Sequence, residues 1–83
     1  MRKIGLDTRN LEHPEPFEMS IKILRTLDMD SYLYMLHRKK PLPLIDLANE
    51  HKFQVFTHQD THEHWHILIS KNTSEDLSTY LNV

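Results

Sequence analysis

The stretch from Leu6 to Leu27, LDTRNLEHPEPFEMSIKILRTL, leaves this chain few choices of fold. It reads as the end of a strand, a short polar turn, two prolines one residue apart, and then a helix. A proline at the first helical position costs little, because its missing N–H has no helical partner there and its locked φ suits the helix, so the helix is expected to start at Pro14. From Glu15 to Leu27, Phe17, Ile21, Leu24 and Leu27 recur at helical spacing with Ile23 beside them, while Glu18, Lys22 and Arg25 fall outward. Glu18 and Lys22 add an i, i+4 ion pair on the exposed side. His13 then stands at the helix mouth, where unpaired N–H groups and the positive end of the helix dipole favour an anion or a thiolate over a cation.

The other elements arrange themselves around that helix. Lys3 to Asp7 alternates about Ile4 and Leu6 and reads as a first strand, with Gly5 allowing a neighbouring backbone to come close. Ser31 to His37 reads as a second strand, Leu33 and Met35 on one face and Tyr32, Tyr34 and Leu36 on the other. After the basic knuckle Arg38, Lys39 and Lys40, the prolines Pro41 and Pro43 open a short helix in which Leu44, Leu47 and Ala48 share a face, ending near Asn49 to His51. Asn49 is the residue expected to take a left-handed cap.

Lys52 to His58 and His64 to Ser70 both alternate, and the polar residues Gln59 to Glu63 separate them, so they read as a hairpin. Setting His58 opposite His64 brings Thr57 to Trp65, Val55 to Ile67 and Phe53 to Ile69, one continuous apolar face. A capping box, Thr73 to Asp76, precedes Leu77, Tyr80 and Leu81, which suggests a terminal helical turn or a frayed tail.

The order strand, helix, strand, helix, strand, strand gives an α+β two-layer sandwich: a four-stranded mixed sheet with both helices on one face and the other face open. Residues 1–71 form one domain and 72–83 a C-terminal tail. Leu33, Met35, Val55, Trp65, Ile67 and Ile69 are expected to face the helices. Tyr32, Tyr34, Phe56, His64 and His66 are expected to line the open side.

Composition narrows the function classes. A chain of 83 residues, 39% hydrophobic, buries one small core. With 10 basic and 12 acidic side chains, a formal net charge of −2, it has no global pull toward nucleic acid or an anionic membrane. The absence of cysteine excludes disulfides, thiolate metal ligands and a cysteine nucleophile. No segment approaches the roughly 20 apolar residues of a membrane helix, and MRKIGLD lacks the apolar run of a signal peptide, so a cytoplasmic location is expected.

The run LD-x-R-x-L-x-H-P-x-P followed by an amphipathic helix resembles the signature of the TusA-like (SirA-like) sulfur-carrier proteins, in which a cysteine precedes the proline at the helix start. The later stretch LHRKKPLPLIDLANEHKFQVFTHQDTHEHWHILISK resembles a relative of that group, the bacterial family catalogued as domain of unknown function 2249. The resemblance implies the same strand-helix-strand-helix-strand-strand sandwich. It also implies that His13 stands where the sulfur carriers place their persulfide-bearing cysteine. Histidine carries no persulfide, so sulfur relay would require a partner's thiol.

Four groups of residues merit testing as sites. Arg9, His13 and Glu15 gather in sequence at the helix mouth, where a neutral imidazole can act as a ligand or proton acceptor; the plainer reading is an exposed turn. His58, His62, His64 and His66 have the alternate spacing that directs side chains to one side of a strand, and could approach zinc, nickel or copper; the plainer reading is a histidine-rich polar turn. Arg38, Lys39 and Lys40 precede a helix start and suit an anion or an acidic partner, or simply a solvated loop. Tyr32, Tyr34 and Phe56 on an uncovered sheet face suit a protein partner or a second copy of the chain, unless the Leu77 to Leu81 tail covers them. No nucleophile with its base and orienting group can be assembled, so the expected function is a non-enzymatic binding or accessory module acting through protein contacts. A histidine-based metal- or cofactor-binding protein is the alternative.

Overall fold

The computed structural model describes residues 1–82, and residue 83, the last of the expected tail, lies outside the described residues. The elements are β1 (Arg2–Asp7), α1 (Glu15–Leu24), β2 (Ser31–His37), α2 (Leu42–Glu50), β3 (Gln54–Gln59), β4 (Trp65–Ser70) and a 3-10 turn (Leu77–Tyr80). One four-stranded sheet runs in the order β1-β2-β4-β3. β1 is parallel to β2, and β4 is antiparallel to both β2 and β3. This is the α+β sandwich that the hydrophobic pattern dictates.

The central strands β2 and β4 alternate between two apolar clusters, as a pleat with side chains on opposite faces requires. Leu33, Met35, Ile67 and Ile69 are fully buried against Leu24, Leu27, Leu44 and Ala48 of the helix layer. Val55 and Trp65 join them partly buried, on the expected face. On the reverse face, Tyr32, Tyr34 and Leu68 form a second cluster with Leu77.

That second cluster overturns the open face. The chain after β4 folds back over the sheet, where Leu77 is fully buried and the Tyr80 ring lies 4.8 Å from that of Tyr32. Gln54 secures the return: its amide donates to the carbonyls of Asn72 (2.9 Å) and Glu75 (2.6 Å), and its oxygen accepts from Leu77 N–H. With Tyr32 and Tyr34 only 5% and 4% exposed, the expected contact surface of Tyr32, Tyr34 and Phe56 is an internal packing surface. Asp76 caps the 3-10 turn, accepting from Ser78 N–H, so Thr73 is not the cap.

The hairpin forms with its partners displaced. His58 pairs with His66, Thr57 with Ile67 and Val55 with Ile69, two places along from the expected pairing. Because the side-chain period is two, this shift preserves which residues face the helices. Asp60 decides the register: its Oδ1 accepts from His62 N–H (2.9 Å) and His64 N–H (3.0 Å), and its own N–H donates to His64 O. The loop is thus Asp60 to His64, Gln59 pairs with Trp65, and Glu63 takes φ 66°.

Both helix ends also differ from expectation. α1 stops at Leu24 and tightens into i→i+3 bonds from Thr26 and Leu27, yet Leu27 still reaches the core at 2% exposure. Pro14 caps α1 and lies just outside its first turn. At the end of α2 the left-handed residue is Lys52 (φ 65°), three places beyond Asn49. Phe53 N–H bonds Ala48 O and Lys52 N–H bonds Asn49 O, the paired closure that satisfies the last helical carbonyls.

Candidate functional site

The parallel pairing of β1 and β2 determines where a site can form. Each strand delivers the chain to a helix from its carboxyl end, so α1 and α2 both begin at the same edge of the sheet. Ligands in sheets of this kind commonly bind outside those ends. Between the two helix starts lies a cleft of about 180 Å³ lined by His13, Phe17, His37, Lys39, Lys40 and Leu44, among others.

The two helix openings are built alike. Prolines cap each helix, Pro14 and Pro41, and a second proline follows two residues later, Pro16 and Pro43. Glu15 N–H bonds Glu12 O and Leu42 N–H bonds Lys40 O, while Glu18 and Ile45 bond the cap carbonyls. The second prolines have no N–H to offer. Among the described residues, the first-turn donors left without a backbone acceptor are those of Phe17 and Leu44, both of which line the cleft. Helical N–H groups point toward the amino end, so these two face out of their helices there.

His37, at the end of β2, is the best-defined group in the cleft. The Thr8 hydroxyl donates to Leu36 O at 2.9 Å, so toward His37 its oxygen serves as acceptor. His37 Nδ1 lies 3.0 Å from that oxygen and 3.2 Å from the Thr8 carbonyl. With acceptors on both contacts, Nδ1 carries the proton, and Nε2 of the neutral ring keeps its lone pair. Burial pushes this imidazole below its usual 6.5; nearby Arg38 and Lys39 act in the same direction, against the Thr8 carbonyl.

Arg9 and Arg38 lie outside the cleft lining and brace the turn that leads to α1. Arg9 makes a two-pronged contact with Asp7, Nε to Oδ1 at 2.9 Å and Nη2 to Oδ2 at 2.6 Å, which holds the Asp7 carboxyl at about 2. Arg38 donates to Arg9 O at 2.7 Å and pairs with Glu12 at 2.9 Å, fixing the turn after β1 to the end of β2. Lys40 places its ammonium 5.2 Å from the centre of the Trp65 ring. The structure therefore joins His13 of the first predicted group to Lys39 and Lys40 of the third, and Glu15 remains exposed outside the cleft lining.

Sequence reading missed His37, which looked like the last residue of a strand. The signal was topological: a polar residue at the carboxyl end of one of two parallel strands, beside a helix start.

Of the hairpin histidines, His66 is held inside the fold. His66 Nε2 donates to the Asp60 carboxylate at 2.8 Å, and its Nδ1 lies 2.7 Å from the Tyr34 hydroxyl. The Asp60 carboxyl is held at about 2, chiefly by the His66 bond and further by the amides of His64 and His62. In neutral His66 the ionised Asp60 takes the Nε2 proton's hydrogen bond, so Nδ1 accepts from Tyr34, whose oxygen in turn accepts from Asn82 N–H at 3.0 Å. All these contacts are internal, and they tie hairpin turn, central strands and tail together. The His58 ring lies 6.2 Å from that of His66, and the rings of His62 and His64 are 6.5 Å apart. Among the described residues no group of three or more histidine, aspartate or glutamate side chains is disposed to hold a metal ion.

No described helix is long and apolar enough to cross a membrane. Compared with known proteins, residues 5–71 match the model of a family described as "Uncharacterized conserved protein (DUF2249)". No curated protein and no solved structure matches the chain.

Proposed function

The chain belongs to the uncharacterised conserved DUF2249 family, and from that premise we propose that it is a small binding module, without catalytic machinery of its own, which receives an anionic, proton-bearing group in the cleft between its helix starts. The observation that carries this reading is the bare Nε2 of His37 beside Lys39 and Lys40. A phosphate monoanion or a similar acid has one O–H to donate to Nε2, and anionic oxygens for the lysines and for the amides of Phe17 and Leu44. A divalent cation would meet two lysines and two positive helix ends, which disfavours the metal alternative at this cleft.

The kinship to TusA-like sulfur carriers belongs to the same proposal. His13 occupies the helix-mouth place of their cysteine and lines the cleft. A thiol brought by a partner protein would find a base in His37 and stabilising cations in the lysines. Partner contact in this reading is made at the cleft edge of the sheet, since the tail covers the tyrosine face.

Inorganic phosphate titrated into isotope-labelled protein near pH 7 tests the proposal. Saturable shifts of the His37 ring nitrogens and the Phe17 and Leu44 amides are expected, weakened several-fold in a Lys39→Gln, Lys40→Gln chain. Shifts that are absent at those positions at millimolar phosphate, or unaltered by the double substitution, would overturn it.

A further inference from the structure

A cavity of about 530 Å³ is a groove in the helix layer that shares no lining residue with the cleft, lined by Ile21, Leu24, Leu47, Ala48 and Phe53 with Arg25, His51 and Lys71 at its rim. We propose that this groove binds a small amphiphilic acid, its apolar body between the helices and its carboxylate or equivalent anion against Arg25 and Lys71.

The floor and the rim select this ligand class. Leu24 and Ala48 are buried, Ile21, Leu47 and Phe53 are partly buried, and the small Ala48 side chain keeps the valley between the helices deep. A concave site within the size range of small-molecule pockets, apolar below and polar at a few points, is the usual form of such sites. Both charged side chains lining it, Arg25 and Lys71, are cationic, although acidic residues outnumber basic ones in the chain as a whole, 12 to 10. Neither Arg25 nor Lys71 forms a salt bridge among the described residues, whereas Arg9 and Arg38 are both engaged. The His51 ring lies 6.4 Å from that of Phe53, so a polar ring adjoins the apolar floor. A cationic amphiphile would be repelled at this rim, and a neutral one would gain only the floor.

Three probes with the same tail separate the contributions: octanoate, octanol and octylammonium, each titrated into isotope-labelled full-length protein. Octanoate is expected to shift the amides of Ile21, Leu24, Ala48 and Phe53 saturably, with octanol weaker and octylammonium without effect. In a chain carrying Arg25→Gln and Lys71→Gln, both exposed changes that leave the core intact, octanoate affinity should fall about tenfold while octanol affinity holds. Equal binding of octylammonium and octanoate, octanoate shifts centred elsewhere, no octanoate binding, or an unchanged octanoate affinity in the doubly substituted chain would each overturn the proposal.

Discussion

His37 couples the cleft to pH. Its pKa in the folded chain lies below the unfolded value, so between the two values the unfolded chain binds more protons. Its contribution to stability is therefore intact above about pH 6.5 and declines as pH falls below that. Denaturant titrations at several pH values across this range should show the decline, and His37→Gln should flatten it. Asp60 acts lower on the scale: a carboxyl held at about 2 against the usual 3.8 gives stability present above the unfolded value and lost as pH falls toward 2. At the centre of the same network, Tyr34→Phe leaves His66 Nδ1 and Asn82 N–H without their shared partner. Equilibrium unfolding should register a loss of about 1–3 kcal/mol for that change. A loss near zero would show that water or a rearranged tail replaces the hydroxyl. None of this could be read from the string of letters, where His37 and His66 look no different from the exposed His62.

Among the elements, the hairpin shows best how far the sequence could be read. Alternation in β3 and β4 fixed which residues face the helices, because that depends only on parity. The pairing partners depended on a local competition inside HQDTHEH, and the Asp60 side chain won it by collecting two backbone amides. Glu63 bears the consequence, a left-handed conformation that costs a residue with a Cβ about 1–2 kcal/mol. Glu63→Gly should therefore raise stability by up to about 1 kcal/mol after the greater freedom of glycine in the unfolded chain is deducted, measurable as a higher melting temperature. The pairing of the two helix starts escaped prediction for another reason. Each proline-opened helix was visible in the sequence, but their shared edge follows from the parallel pairing of β1 with β2, a contact between distant segments.

For the whole molecule, the tail converts a two-layer sandwich into a sheet covered on both faces. The apolar residues Leu77, Tyr80 and Leu81 were legible as a candidate cover, but docking depends on Gln54 and Tyr34, which belong to strands far away in sequence. The family match ends at residue 71, before this segment begins. Leu77→Ala should cost about 2–5 kcal/mol, since the side chain is fully buried. Removing residues 72–83 should expose Tyr32, Tyr34 and Leu68 together, and sedimentation across concentration should then show more self-association than the full chain gives. A shortened chain that associates no more than the full chain would indicate that these residues rearrange to cover one another.

The chain contains one tryptophan, and its indole lies beneath the Lys40 ammonium at the rim of the cleft. An anion that draws Lys40 away alters the electric field on that ring, so the ultraviolet emission of the unlabelled protein becomes an optical gauge of occupancy. The molecule thus carries its own indicator dye.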